Sequence, residues 1–504
     1  MRRQPAERRR RPVPVVRAAL AAIALAWPMA AAWAQAGTAR TSITPYASAQ
    51  LTLTDNYELN AGSKSADAIT RLTAGVAMRS TAGRIQGQLD YSLSALLYAQ
   101  HGDRSTHQHQ LSATGEIEWY ERQGYLTAAA SISQVARSAF DAPVRPGGLP
   151  GTNTTQMRSI SLSPRWQGLL PGGLQIRASL NGRLDDAQDS LTGDVTTLGA
   201  AVRVSPFRPG PLSWAADVVH SKTSYELTSS VRSSRAYGTL LWNVTDLDLL
   251  LNARAGVERS NFATQALRDD TTWGAGLEWR PSPRTRMAAD LEERGFGRTH
   301  LALVEYRTPR TTWRLSTSRN INTGGGELGN RNADLLRTQL FEVYAAIEPD
   351  FFRRMLLVDE VLRTGSFLRG AVTIDDRQEA SVSWRGPRLV VSLNLSHAVS
   401  RRANLLLTGR DDLDFSDRIR LDAATLNLSH KLTSQSYLAL LLTGQTGRGE
   451  LTAQRTRQHG MSLTWGGQFT PDDSWSLSLR RMWYETNLVP YSETALTATY
   501  GIRF

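Results

Sequence analysis

The chain has 504 residues and a formal net charge of +12, with no cysteine. Half of that charge belongs to residues 1–34, where seven arginines face one glutamate; the 51 basic and 45 acidic side chains that remain are scattered singly, which excludes a nucleic-acid binder that tracks phosphates with a basic stripe. The missing cysteines exclude a disulfide framework and amino-terminal lipidation, and no apolar run after residue 34 approaches the length of a membrane helix.

The amino terminus reads as a signal peptide over residues 1–34. Arginines run to Arg17, an apolar stretch covers residues 18–32, and Ala32-Trp33-Ala34 is a small-x-small cleavage site before Gln35. The mature chain, residues 35–504, is therefore expected to be exported, and any membrane crossing it makes must use strands.

Taken in order, the mature chain is a series of alternating segments separated by turn residues. In residues 85–97 the odd positions carry Ile85, Leu89, Tyr91, Leu93 and Leu97, and the even ones Gln86, Gln88, Asp90, Ser92 and Ser94. Residues 111–119 repeat this, with Leu111, Ile117 and Trp119 opposite Ser112, Glu116 and Glu118. In residues 174–184, Leu174, Ile176, Leu180 and Leu184 oppose Gln175, Arg177, Asn181 and Arg183. A slip of one residue there would turn both arginines to lipid, at roughly 2–4 kcal/mol each near the midplane, so the register is well specified.

Short and long connections alternate along the chain. Tight ones fall at residues 81–84, 122–124, 281–283, 385–388 and 433–435, and longer ones at residues 100–108, 138–154, 261–269 and 401–418, the asymmetry expected between periplasmic and extracellular rims. Nine tryptophans, Trp119, Trp166, Trp214, Trp242, Trp279, Trp313, Trp384, Trp465 and Trp475, lie within a few residues of a short turn. An aromatic girdle at one membrane interface requires such placement, and ordinary core packing does not. The segments number about 22, so the expected fold is all-β: a transmembrane antiparallel β-barrel of about 22 strands, with both termini in the periplasm.

One interval departs from period two. Over residues 334–365 the apolar side chains recur at Leu336, Leu340, Val343 and Ile347, then at Phe351, Met355, Val358 and Leu362, which predicts a short helical insertion. By strand parity it leaves the barrel on the extracellular side as a loop, lid or plug. The last stretch, residues 494–504, alternates again and ends on Tyr500, Ile502 and Phe504, predicting a closing strand that pairs with the first.

The opening residues 43–56, ending in Thr54-Asp55-Asn56, resemble the first strand of the outer-membrane barrels associated with PEP-CTERM and exosortase systems. The insertion with Pro349-Asp350, the strand after it at residues 379–385, the turn Gly386-Pro387-Arg388 and the terminal Phe504 are similar to the same family. The resemblance implies a link to exopolysaccharide loci and supplies no catalytic residues. By resemblance to such barrels, Tyr500, Ile502 and Phe504 form the signal read by the barrel-assembly machinery.

Other chemistry has weak support in the chain. His101, His107 and His109 could gather a metal, but a solvated loop explains them as well. Asp411, Asp412, Asp414 and Asp417 lack the glycine and terminal glutamate of a calcium loop. No Gly-x-Ser-x-Gly element and no cofactor motif is present. Gln175, Arg177, Asn181, Arg183, Glu278, Arg280, Asp290 and Glu292 are expected to form a lumen wall of mixed sign, which argues against strong ion selectivity. The expected partners are outer-membrane lipid, the assembly machinery and exopolysaccharide export components. The expected role is a conduit or accessory in polysaccharide export; the alternatives are an outer-membrane hydrolase acting on lipid or glycan, a general diffusion porin, and a soluble secreted all-β protein, which the tryptophans and Phe504 disfavour.

Overall fold

The structure, a computed structural model, describes residues 41–504 apart from 60–61, 82, 142–148, 150, 152, 188–192, 227–228, 263–265, 324–371, 404–411, 451–453 and 487–489. The signal peptide expected over residues 1–34 and the helical insertion expected over 334–365 lie outside the described residues.

The strands in chain order begin with β1 (Thr41–Thr54), β2 (Asp67–Ser80), β3 (Ile85–Tyr98), β4 (Thr106–Tyr120), β5 (Gly124–Ala136) and β6 (Thr154–Leu170). Next come β7 (Leu174–Ala187), β8 (Val195–Pro206), β9 (Leu212–Tyr225), β10 (Val231–Val244), β11 (Leu249–Ser260) and β12 (Arg268–Ser282). Then follow β13 (Thr285–Arg294), β14 (Gly297–Arg307), β15 (Thr311–Asn322), β16 (Thr373–Arg385) and β17 (Leu389–Arg402). The series ends with β18 (Arg418–Lys431), β19 (Ser436–Gly449), β20 (Arg455–Gly467), β21 (Asp473–Thr486) and β22 (Tyr491–Arg503). A one-turn helix, α1 (Asp412–Phe415), sits between β17 and β18, and the turn near Asp246 is a 3-10 turn.

All 22 strands form one antiparallel sheet in which each pairs with its chain neighbours. The sheet closes on itself: β1 pairs with β22 from Tyr46 opposite Arg503 to Thr54 opposite Ala495, and the Phe504 N–H donates to the Pro45 carbonyl at 2.9 Å. Closure pairs the two edge strands along this stretch, which removes the template an open edge would offer.

Cross-strand partners share a face, so the registers sort every strand residue to one side. Leu212 lies opposite Trp242, Leu240 opposite Trp214 and Ala253, and Val257 opposite Ala236, all on the outside. The same faces hold the exposed large side chains Leu198, Leu240, Val257, Leu291 and Leu479. A continuous apolar belt of this extent is far above what a water-facing surface carries, and lipid is the solvent that suits it. The inner face carries serines, threonines, amides and paired charges. At the tight turns the backbone is left-handed where a side chain would strain it, as at Gly172 and Gly173 between β6 and β7, with φ of +81° and +74°.

Three small clusters of buried apolar side chains lie at the long-loop end. One joins Ala139 and Phe140 to Leu413, Ile419 and Leu421; a second joins Leu149 to Tyr57, Ile69, Leu96 and Tyr98. In a third, Val372 packs with Val195, Tyr225, Val231 and Phe262.

Candidate functional site

The inner wall from β7 to β16 is built from paired charges. On β7, Arg183 donates to Asp185 at 2.7 Å, and Ser159 of β6 donates to the same carboxylate at 2.5 Å. On β11, Glu258 is fully buried; it accepts from Ser233 at 2.9 Å and from both ends of the Arg294 guanidinium, at 2.6 and 2.9 Å. Arg235 pairs with Glu292, and Arg254 with Asp290, while a second Arg254 nitrogen lies 4.0 Å from Glu292. Glu278 accepts from Arg280 at 2.7 Å and from Arg286 at 3.1 Å. The series continues with Arg314 and Glu305 at 3.5 Å, then Arg377 and Glu379 at 2.8 Å.

Glycines make one of these pairings possible. Arg254 stands on β11 and its carboxylates on β13, so the guanidinium must cross β12. The intervening lumen positions are Gly274, opposite Arg254, and Gly276, opposite Asp290. A Cβ on Gly276 would stand 2.6 Å from an Asp290 oxygen and 2.7 Å from the Asn252 amide nitrogen. Any larger residue there would block the crossing.

Aromatic residues are divided between the faces. Trp119, Trp166, Trp214, Trp242, Trp279, Trp313, Trp384, Trp465 and Trp475 all stand on the outer face beside the short turns; Trp465 meets Trp475 edge-on at 4.9 Å, and Phe469 stacks on Trp475 at 5.6 Å. Trp273 and Trp483, which stand toward the opposite end of the strands, also face outward. Trp483 is eight residues beyond Trp475 on β21, which is roughly 27 Å along the strand and about 21 Å of height at a tilt near 40°. The period-two pattern held this signal, because 475 and 483 share parity. Two tyrosines turn inward instead. Tyr46 lies over Gly75 directly opposite it and donates to Asp90 at 3.2 Å, and Tyr437 lies over Gly466 in the same way.

The long-loop end is crossed by the chain's own segments. After β5, Asn153 accepts the Arg137 and Ser138 N–H groups at 3.1 and 2.8 Å, turning the chain sharply. Ser138 and the Ala139 N–H then donate to Asp412 of α1 at 2.9 and 2.7 Å, and Tyr484 of β21 donates to the Phe140 and Asp141 carbonyls at 2.8 and 2.7 Å. Neither β18 nor β21 neighbours β5 in the sheet, so this segment spans the mouth. From another side, Thr323 after β15 accepts from Tyr225 of β9, also not a neighbour. Nothing in the alternation of the strands signals these crossings.

The remaining sequence candidates separate. His101 pairs with Asp67 at 2.8 Å and stacks on Tyr57, whereas His107 and His109 belong to β4, not to the loop, and point outward; His109 hydrogen-bonds the Tyr91 hydroxyl at 2.9 Å. Asp412 holds the Ser138 turn, and Asp414 pairs with Arg402 in a buried contact. Asp411 lies outside the described residues. Gln175, Arg177, Asn181, Arg183, Glu278, Arg280, Asp290 and Glu292 all face the lumen. Phe504, Ile502 and Tyr500 face outward at the short-turn end, with Phe504 73% exposed.

At the rim outside the strands, burial raises Asp194 to a pKa of about 6, and the neighbouring charges of Asp186 and Glu226 push the same way. Burial also acts upward on Asp55, but the Lys64 ammonium at 2.7 Å and the Thr494 N–H outweigh it and hold that carboxyl below its ordinary range.

No family model matches the chain, and no curated protein matches it. Among solved structures it is similar to the FrpB iron transporter of Neisseria meningitidis (F5-1 variant), at 9% identity and a TM-score of 0.50, covering 92% of this chain and 82% of that one. The chain has the fold of an outer-membrane β-barrel. Further similarities are to the siderophore receptor PirA of Acinetobacter baumannii, with 10% identity, a TM-score of 0.47, and 92% and 80% of the two chains covered. OccK2 (OpdF) of Pseudomonas aeruginosa aligns at 12% identity and a TM-score of 0.38 over 92% and 98%.

Proposed function

We propose that this barrel is a conduit for polar, carbohydrate-like material across the outer membrane, working as an accessory of surface-polysaccharide export. The observation that carries this proposal is the inner wall between β7 and β16, where carboxylates are matched by guanidinium groups within a few ångströms. Such a wall is rich in donors and acceptors yet has little net field, which suits neutral hydroxylated chains better than ions of one sign. Inward Tyr46 and Tyr437 add apolar ring faces with a hydroxyl handle. The exopolysaccharide assignment draws its support from the sequence resemblance.

In this arrangement the short turns and both termini face the periplasm. The nine turn-side tryptophans sit at the inner interface, and Tyr500, Ile502 and Phe504 are presented to the assembly machinery. The spanning segments across the mouth make the resting state a restricted one. The test is twofold. Liposomes containing the protein should admit neutral oligosaccharides faster than charged solutes of equal size, and deletion of the gene should reduce surface polysaccharide. Equal or absent permeation overturns the conduit, and unchanged polysaccharide in amount and location overturns the export role.

A further inference from the structure

The outer face of β18, β19 and β20 carries three arginines in one row. Arg420 lies directly opposite Arg448, and Arg448 directly opposite Arg455. Like charges placed opposite each other across strands repel, so such a row is unfavourable unless an anion answers it. Three carboxylates near the row are already engaged: Glu450 with Arg418 at 3.0 Å, Glu485 with Arg457 at 3.8 Å, and Asp422 with His397 at 2.5 Å. No carboxylate among the described residues lies within ion-pair distance of Arg420, Arg448 or Arg455. Among the described residues the buried Nε of Arg420 has no hydrogen-bond partner.

The height of the row identifies its surroundings. On β19 the outward positions run Leu438, Leu440, Leu442, Gly444, Thr446 and Arg448. Ten residues from Leu438 to Arg448 are roughly 34 Å of strand, or about 26 Å of height at a tilt near 40°, close to the full apolar band. Beside the row, Trp483 of β21 faces outward opposite His459, and Arg481 stacks on its ring at 5.2 Å. Below it, Leu426, Leu442 and Met461 line up across the same strands as a surface for acyl chains. The arginines therefore meet the membrane at the headgroup level of the leaflet on the long-loop side.

We infer that Arg420, Arg448 and Arg455 hold the phosphates of an outer-leaflet glycolipid, its acyl chains lying on the leucine and methionine surface below. Guanidinium suits phosphate because its fork of donors matches two oxygens at once, and it stays charged at every accessible pH. The inference rests on the membrane placement proposed above and not on the solute carried, so its failure would leave oligosaccharide permeation untouched.

The experiment uses the full-length barrel in detergent with three probes: diphosphorylated lipid A, the same lipid after phosphatase treatment, and inorganic pyrophosphate. Retained probe is read by native mass spectrometry. The protein should retain lipid A about tenfold more than the dephosphorylated lipid, and R420Q/R448Q/R455Q should lose most of that difference. The heat-dependent gel shift establishes that the triple variant is folded; if it is not, R448Q and R455Q, both at exposed positions, should each lower retention about threefold. Equal retention of the dephosphorylated lipid, or undiminished retention by the variants, overturns the site. Pyrophosphate bound as tightly as lipid A also overturns it, because the row would then be a soluble-anion site.

Discussion

Glu493 of β22 is fully buried and is held 3.0 Å from Arg480 of β21, while its other oxygen accepts from Thr54 of β1 at 2.9 Å. One carboxylate thus ties together the three strands that close the barrel. Removing it leaves the guanidinium of Arg480 buried without its partner. Glu493→Ala should cost about 3–5 kcal/mol, read as a lower urea midpoint in detergent and a heat-dependent gel shift at lower temperature. Replacing both charges, with Glu493→Leu and Arg480→Met, should recover most of the loss. An E493A midpoint equal to the parent's would show that closure does not depend on this contact.

A tyrosine ring covers a glycine directly across the strand at Tyr46 with Gly75 and at Tyr437 with Gly466. A Cβ at Gly466 would come 2.8 Å from the Tyr437 hydroxyl oxygen, closer than packed atoms allow. Gly466→Ala should destabilise the barrel by about 1–3 kcal/mol through overpacking. Gly238→Ala is the matched control, because a Cβ there meets open space; it should stay within about 0.5 kcal/mol of the parent. The comparison is of urea midpoints, and equal effects would discount the ring contact.

The division of faces was legible in the sequence because a strand has a strict period of two. Leu174 and Arg177 differ in parity, so one must face lipid and the other the lumen, and the registers place them so. The strand number was legible for the same reason, since each polarity pattern ends at a turn. Partners beyond adjacent strands were not legible. That Arg254 reaches Asp290 depends on the register of β11, β12 and β13 together and on Gly274 and Gly276 leaving a path. The crossing from Ser138 to Asp412 is a contact between loops far apart in the chain, and no periodicity encodes it. The arginine row of Arg420, Arg448 and Arg455 is likewise visible only once two registers are known.

The compensated wall makes a prediction about ions. Arg235 and Arg254 answer Glu292 and Asp290, so replacing both arginines by glutamine leaves two uncompensated carboxylates on the lumen. The double variant should shift the reversal potential in a salt gradient toward cation selectivity, while the parent should be only weakly selective. The shift should shrink at high salt as the charges are screened. A reversal potential unchanged in the variant would place the conducting path away from this wall.

The rim carboxylate Asp194 titrates unusually high. Its folded pKa of about 6 lies above the ordinary carboxylate value, so the folded state holds the proton more tightly than the unfolded chain. The resulting stabilisation is fully present below the ordinary carboxylate pKa, near 4, and is lost as pH rises through about 6. Hydrogen exchange at the Asp194 and Glu226 amides, which link the two residues through Asp194 N–H to Glu226 and Glu226 N–H to the Asp194 carbonyl, should be better protected at pH 5 than at pH 7 after correction for intrinsic rates. Asp194→Asn should remove the difference. A protection ratio independent of pH in the parent would contradict the raised value.

The segment across the mouth is pinned at two adjacent points, residues 138–139 by Asp412 and residues 140–141 by Tyr484. Asp412 accepts two hydrogen bonds from residues 138 and 139, and hydrogen bonds to a charged acceptor contribute about 1.5–3 kcal/mol each. Asp412→Ala should therefore raise the population with this anchor released by about tenfold or more, since 1.4 kcal/mol is a factor of ten. Tyr484→Phe removes the two bonds to the Phe140 and Asp141 carbonyls next to it and should act in the same direction. Phe140 remains packed on Leu413, Ile419 and Leu421, so neither change alone frees the segment completely. The two together should exceed either, because each anchor limits what release of the other can achieve. Oligosaccharide entry into liposomes measures the outcome, with faster entry in the order parent, single variants, double variant. Unchanged entry in the double variant would show that the segment lies across the mouth without restricting passage.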